Sequence, residues 1–227
     1  HVSYIVDYRD AWLLDVFTGE RLHSRRSREA RWERRLFRDA QEIWFVNDPI
    51  RNWHAEEYPG AGVKMVVVPN GSDLDLPSAG QPRERGGRPM RFTYLGTITP
   101  NVPLALFGEG WRLAHGQIPD SEARIHGHLG FFEKPISEER ALIDQITSID
   151  GVRYRGPVSK IEVGQVYAAA DVLLLIIGGG QYVTSGKLYE YISTGLPIVS
   201  VHDPDSAAST VLRDYPLWFP ARELTAP

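Results

Sequence analysis

Asp171-Val-Leu-Leu-Leu-Ile-Ile-Gly-Gly-Gly-Gln-Tyr-Val-Thr-Ser-Gly-Lys-Leu-Tyr-Glu-Tyr-Ile-Ser-Thr-Gly-Leu-Pro-Ile-Val199 is the stretch on which the fold turns. The apolar run after Asp171 ends at three glycines, the pattern of a strand covered on both faces in a parallel sheet. Glycine there lets backbone approach a ligand closely. Thr184 and Ser185 are N-cap residues for a helix starting near Gly186, so free N–H groups and the positive end of the helix dipole point into the loop. Lys187 adds a full positive charge. Leu188, Tyr191 and Ile192 fall on one helix face, and Lys187, Glu190 and Thr194 on another. Gly195 then ends the helix, and Leu196-Pro-Ile-Val199 opens the next strand.

Such a junction is built to hold an anion. A diphosphate against Lys187 and the helix start would leave Glu190 one turn deeper, where a carboxylate accepts hydrogen bonds from ribose hydroxyls. An ordinary strand–loop–helix unit with a surface Lys–Glu pair fits the same residues. A Walker loop does not. Five residues separate Gly180 from Gly186 where that motif has four, and Lys187 precedes Leu188 where it needs Ser or Thr.

Outward from this stretch, short apolar runs alternate with helix-length amphipathic segments, the mark of a parallel α/β sheet. The first block has strands at Tyr4–Val6, Glu42–Val46 and Val63–Val68, with helices across Ser27–Ala40 and after the Asp48-Pro49 start signal. The composition of Leu74–Met90 turns to Pro, Gly, Arg and Glu, as in a linker. The second block predicts strands at Arg91–Leu95, Ala123–His128 and Val152–Tyr154. Its helices fall within Val102–His115, Ser137–Ser148 and Lys160–Ala170. Two such blocks leave a cleft at their strand ends.

Composition narrows the function. The 227 residues are 42% hydrophobic and 11% aromatic, enough for one large core or two modest ones. A net charge of −4 and a pI of about 6.0 argue against a dedicated nucleic-acid binder. The absence of cysteine excludes disulfides and thiolate metal sites and fits a cytoplasmic protein. No apolar run reaches the roughly 20 residues that span a bilayer, and no signal peptide is visible. The start at His1 and the end at Leu224-Thr-Ala-Pro227, with no closing helix, are what a fragment of a longer protein would show.

Three motifs together resemble the family 4, GT-B-type retaining glycosyltransferases (glycosyltransferase group 1): Val66-Val-Val-Pro-Asn-Gly-Ser-Asp73; Gly156-Pro-Val158 followed by Tyr167-Ala-Ala-Ala-Asp171; and Gly186-Lys-Leu-Tyr-Glu-Tyr-Ile-Ser-Thr-Gly-Leu-Pro-Ile-Val199. The similarity runs from Asp7-Tyr-Arg-Asp10 to Val201. It implies two Rossmann-like domains facing a cleft: 1–73 as the second half of an acceptor-side domain, 74–90 as linker, and 91–227 as the nucleotide-sugar-binding domain. The first half of the N-terminal domain would be missing, and the chain alone inactive. The implied activity is transfer of a hexose-type sugar from a nucleotide sugar to an acceptor hydroxyl with retention, without metal or other cofactor. The acceptor would be lipid-linked or a glycan, and nothing here fixes an oligomeric state.

By matching position, the resemblance puts Lys187 at the diphosphate, Glu190 at the ribose, and Ser185 and Gly186 at the helix start. Gly96 and Thr97 belong to the glycine turn near the phosphates, and Gly156 and Val158 to the segment meeting the base. Thr184 and Tyr182 complete the donor loop. Tyr182 occupies the place of the first glutamate of the family's glutamate pair. The basic residues usual after the first glycine turn are also missing, since Gly96 precedes Thr-Ile-Thr-Pro-Asn-Val102. Two alternatives stay open: a non-catalytic nucleotide-sugar-binding or assembly protein, and a GT-B-type nucleotide-sugar epimerase.

Other candidates have plainer readings beside the functional ones. Asp10, in Asp7-Tyr-Arg-Asp10 at a strand end, faces the expected cleft or belongs to a structural Arg–Asp pair. His126 and His128 alternate on one strand face and lack further ligands for a metal. Asp73-Leu-Asp75 mimics a metal-binding acid pair but falls in the linker. Arg21 to Arg38 holds eight arginines against two glutamates, either a solvated helix with Glu–Arg pairs or a basic face for peripheral membrane contact.

Overall fold

The computed structural model describes residues 2–72, 86–130 and 137–221. Most of the expected linker and the Asp73-Leu-Asp75 pair lie outside them. The first sheet consists of β1 (Ile5–Asp7), β2 (Glu42–Phe45) and β3 (Met65–Val67), parallel and in that order. Helices α1 (Arg28–Asp39) and α2 (Asp48–Glu57) join these strands. Ser27 Oγ caps α1 at the Ala30 N–H, 3.1 Å. The cap of α2 is Asn47, whose Oδ1 accepts from the Ile50 N–H at 2.9 Å, so the helix starts at the expected Asp48-Pro49 signal with Pro49 in its first turn.

One face of this sheet builds a core from Ile43, Phe45 and Met65 against Phe37, Leu13, Leu14 and Ile50. At about 1.5–3 kcal/mol for each large apolar side chain buried, that face carries most of the block's stability. The opposite face leaves Ile5 and Val66 exposed, at 47% and 42%, although parallel sheets ordinarily cover both faces.

The second sheet is parallel throughout. Its elements are β4 (Met90–Leu95), α3 (Leu104–Gln117), β5 (Ser121–His126), α4 (Ser137–Thr147), β6 (Val152–Gly156), α5 (Val163–Ala168), β7 (Val172–Ile176), α6 (Gly186–Thr194), β8 (Ile198–Val201), α7 (Ala207–Leu212) and β9 (Trp218–Pro220). The strands lie in the order β6-β5-β4-β7-β8-β9, the arrangement of a doubly wound dinucleotide-binding sheet, whose direction of winding reverses between β4 and β7. Every residue of β7 is buried. Leu174 and Ile176 enter the core under α3 and α4, while Leu173 and Leu175 enter the one under α5, α6 and α7. This double coverage is why the strand reads as an unbroken apolar run.

Neither α7 nor β9 is marked in the sequence. Both are short, and β9 is a partly exposed edge strand containing Pro220, so neither carries a strong periodic signal. Tertiary contacts define β9: it pairs with β8, and Trp218 Nε1 donates to Ser200 Oγ at 2.8 Å. No described helix is long and apolar enough to cross a membrane.

Candidate functional site

Two loops meet where the winding reverses. The turn after β4 is fastened to its neighbours by backbone bonds: Gly96 N–H to the His126 carbonyl at 3.0 Å, Ile98 N–H to the His128 carbonyl at 2.8 Å, and Gly130 N–H to the Ile98 carbonyl at 2.8 Å. Two glycines permit this closeness. A Cβ on Gly127 would lie 1.6 Å from the Gly96 oxygen, and one on Gly178 would lie 1.4 Å from the Asn101 oxygen. The loops after β4, β5 and β7 therefore interlock through backbone alone, with no room for a side chain at either position.

The loop after β7 leads into α6. Ser185 is its N-cap, with Oγ 3.3 Å from the Lys187 N–H. Gly195, at φ 71°, closes it. Thr184 Oγ1 is buried without a hydrogen-bond partner, an arrangement that costs free energy unless a ligand supplies the bond. A cavity of about 400 Å³ opens here, lined by Gly96 and Thr97 from one loop and by Thr184, Ser185, Gly186 and Lys187 from the other. The positive end of the α6 dipole, an ammonium and an orphaned hydroxyl around one space can receive an anion.

Glu190 stands one turn along α6, outside the cavity lining. The hydroxyl of Tyr167, from α5, donates to its Oε2 at 2.6 Å. Burial first, then Tyr191 and Glu190, raise the pKa of Tyr167 above the ordinary tyrosine value, which keeps the hydroxyl a donor. Tyr191 forms part of the cavity wall, and its hydroxyl accepts from the Leu95 N–H at 3.1 Å, tying α6 to β4.

The other expected site residues are dispersed. Gly156 takes φ 79° at the end of β6, and Val158 lines a second cavity on the α5 side of the sheet. Tyr182 turns away from the α6 cavity. Its ring packs against the first core, reaching within 3.1 Å of where a Gly19 Cβ would stand, and its carbonyl accepts from Asn47 Nδ2 at 2.9 Å. Asp10 is exposed and outside the lining. Its neighbour Arg9 pairs with Asp7 at 2.8 Å and donates to Asn70 Oδ1 at 2.9 Å. His126 ends β5, and His128 lies beyond Gly127 with its side chain exposed, so the expected shared strand face is not formed. Among the described residues no three His, Cys, Asp or Glu side chains gather where a metal could be held.

Four participants carry no role in the sequence analysis: Gly127, Asn101, Tyr167, which enters there only as part of a motif, and Phe17, which lines the α6 cavity from the segment after β1. Gly127 follows an alternating strand run, a signal that was available. The places of Tyr167, Asn101 and Phe17 at the site depend on which distant segments become neighbours, and no local pattern marks them.

No family model matches the chain, and no curated protein matches its sequence. Solved structures do match. A glycosyltransferase from Rickettsia africae superposes with a TM-score of 0.64 at 12% identity, over 82% of this chain and 51% of that one. The Anabaena protein HepE, solved with UDP-glucose, gives 0.61 at 14% identity over 87% and 54%. Sucrose-phosphate synthase from Thermosynechococcus elongatus gives 0.58 at 16% over 90% and 52%. The chain spans about half the length of these structures. With its parallel three-stranded and doubly wound six-stranded sheets, it carries part of the GT-B glycosyltransferase fold.

Proposed function

We propose that the chain belongs to a nucleotide-sugar-dependent glycosyltransferase that moves a hexose-type sugar to an acceptor hydroxyl with retention. Residues 91–227 would bind the donor and residues 1–73 would belong to the acceptor side. The observation that carries this reading is the cavity at the sheet's reversal point, where Thr184 Oγ1 lacks a partner beside Lys187 and the α6 N-terminus. There Lys187 and the helix dipole would stabilise the departing diphosphate, and Glu190, oriented by Tyr167, would accept the ribose hydroxyls. Closure about Asn70-Gly71 would bring acceptor and donor together. The UDP-glucose in the HepE structure makes a uridine nucleotide the first ligand to test.

Calorimetric titration with UDP, GDP, ADP and dTDP is the direct experiment. Lys187→Ala and Glu190→Ala should each weaken the tightest-binding nucleotide by about 1–3 kcal/mol, the worth of a charge-assisted hydrogen bond. Unchanged titrations for both would remove the assignment.

A binding protein without transfer chemistry is the second reading, favoured because no Asp, Glu or His is among the described residues lining the cavity. Donor turnover by the full-length protein separates the two.

A cytoplasmic location with peripheral membrane contact, suited to a lipid-linked acceptor, remains part of the proposal. It is supported by the exposed Arg31, Arg35 and Trp32 of α1. Cosedimentation with anionic vesicles should fall with added salt and with Arg31→Glu/Arg35→Glu. Equal pelleting of wild type and variant would remove the membrane contact.

A further inference from the structure

The α5 side of the β4-β5-β6 sheet half carries an excess of positive charge. Strand alternation turns Arg124 and His126 of β5 and Arg155 of β6 toward this side, where all three line a cavity of about 360 Å³ distinct from the one beside α6. Glu122 is shared between two guanidiniums, 2.9 Å from Arg124 and 3.0 Å from Arg155. The register sets Arg124 directly opposite Arg153 and Arg91 opposite Glu122, and like charges so placed repel. On this face the four arginines exceed Glu122 and Glu162 by two charges, with Arg124 and Arg155 lining the cavity and Arg91 and Arg153 beside them on the neighbouring strand positions. Glu162 is itself engaged by Ser159, whose N–H and hydroxyl reach it at 3.1 and 2.6 Å.

Three nitrogens on this face, Arg91 Nε, Arg124 Nε and His126 Nδ1, are buried with no hydrogen-bond partner. Burial, followed by Arg124 and Arg88, lowers the pKa of Arg91. Burial, then Arg155 and Arg124, lowers that of His126. Buried polar nitrogens without partners, on a face with more cations than carboxylates, are costly, and a bound oxyanion would supply both the missing acceptor and the missing charge.

We infer that this cavity is a second anion site, which takes the phosphate group of a small phosphorylated molecule. A phosphate dianion matches the two-charge excess of the face around the cavity. The volume stands at the low end of ligand pockets, roughly 300–1,000 Å³, which suits a monosaccharide phosphate.

The test is calorimetry on the 227-residue chain with inorganic phosphate and with glucose 6-phosphate, each with and without saturating UDP. Both probes should bind. Equal affinities would show that the phosphate alone is recognised, and tighter sugar-phosphate binding that the rest of the cavity contributes. Arg155→Gln, whose parent side chain is 47% exposed and dispensable for packing, should weaken binding at least tenfold, as should Arg124→Gln with an unaltered melting temperature. The part of glucose 6-phosphate binding that depends on Arg155 should persist in Lys187→Ala and under saturating UDP, whether or not UDP fills the α6 cavity. Absence of binding, indifference to Arg155→Gln, or loss of the Arg155-dependent binding when UDP is added would overturn the site.

Discussion

Glu33→Ala is expected to destabilise the protein by about 2–4 kcal/mol, read as a lowered urea midpoint. Glu33 is fully buried in the middle of α1. Tyr8 donates to its Oε1, Tyr58 donates to Oε2 at 2.8 Å, and His54 Nε2 stands 3.7 Å from Oε1. The Tyr8 hydroxyl also accepts from the Trp12 N–H at 2.9 Å, so the cluster ties α1, α2 and the segment after β1 together. Alanine would leave both tyrosine hydroxyls without their acceptor at about 1–3 kcal/mol each, and a cavity besides.

The pH dependence follows from the same contacts. Burial pushes the Glu33 carboxyl up, but His54, Tyr8 and Tyr58 outweigh it and hold the pKa below the ordinary glutamate value. A carboxyl depressed in the folded state contributes stability that is fully present above its unfolded value, about 4.3, and lost as pH falls through the folded one. Urea unfolding between pH 6 and pH 3 should therefore show a steeper acid loss in wild type than in Glu33→Gln. Parallel curves would contradict the assignment.

Gly178→Ala is expected to cost about 1–3 kcal/mol, the usual penalty for overpacking, and to reduce nucleotide affinity at the same time. Its Cβ would stand 1.4 Å from the Asn101 oxygen, a backbone atom that cannot rotate away, so the loop holding Gly96 and Thr97 must shift from α6. Gly180→Ala is the control: two residues on, its Cβ meets nothing within 4 Å, and stability and binding should change little. Equal behaviour of the two variants by denaturation and calorimetry would show that the loops are not interlocked as described.

The strand–loop–helix unit was legible because its signals are local. An apolar run flanked by glycines, a Ser at the cap and a three-and-four apolar stripe describe β7 and α6 whatever surrounds them. The same holds for the alternation of strands and helices, which places Lys187 beside a helix start and Glu190 one turn on. Short or half-exposed elements escaped: β9 has partners but no pattern. Tyr182 shows the limit most plainly. Its position in the chain assigned it to the donor loop, yet its partly buried ring packs against the first block and its carbonyl is held by Asn47.

By itself, then, the amino-acid order determined the parallel α/β class, the alternation of strands and helices and the glycine-rich junction of β7 with α6, since each depends on propensity, periodicity and residue type within a few neighbouring residues. Only the tertiary structure decided that the sheet reverses between β4 and β7, that Gly127 and Gly178 let three loops interlock, that Tyr167 orients Glu190, and that the arginines of β4, β5 and β6 share one uncompensated face. The physical reason is distance along the chain: such contacts join residues whose separation in sequence carries no periodic signal, and they exist only once the order of strands has been chosen.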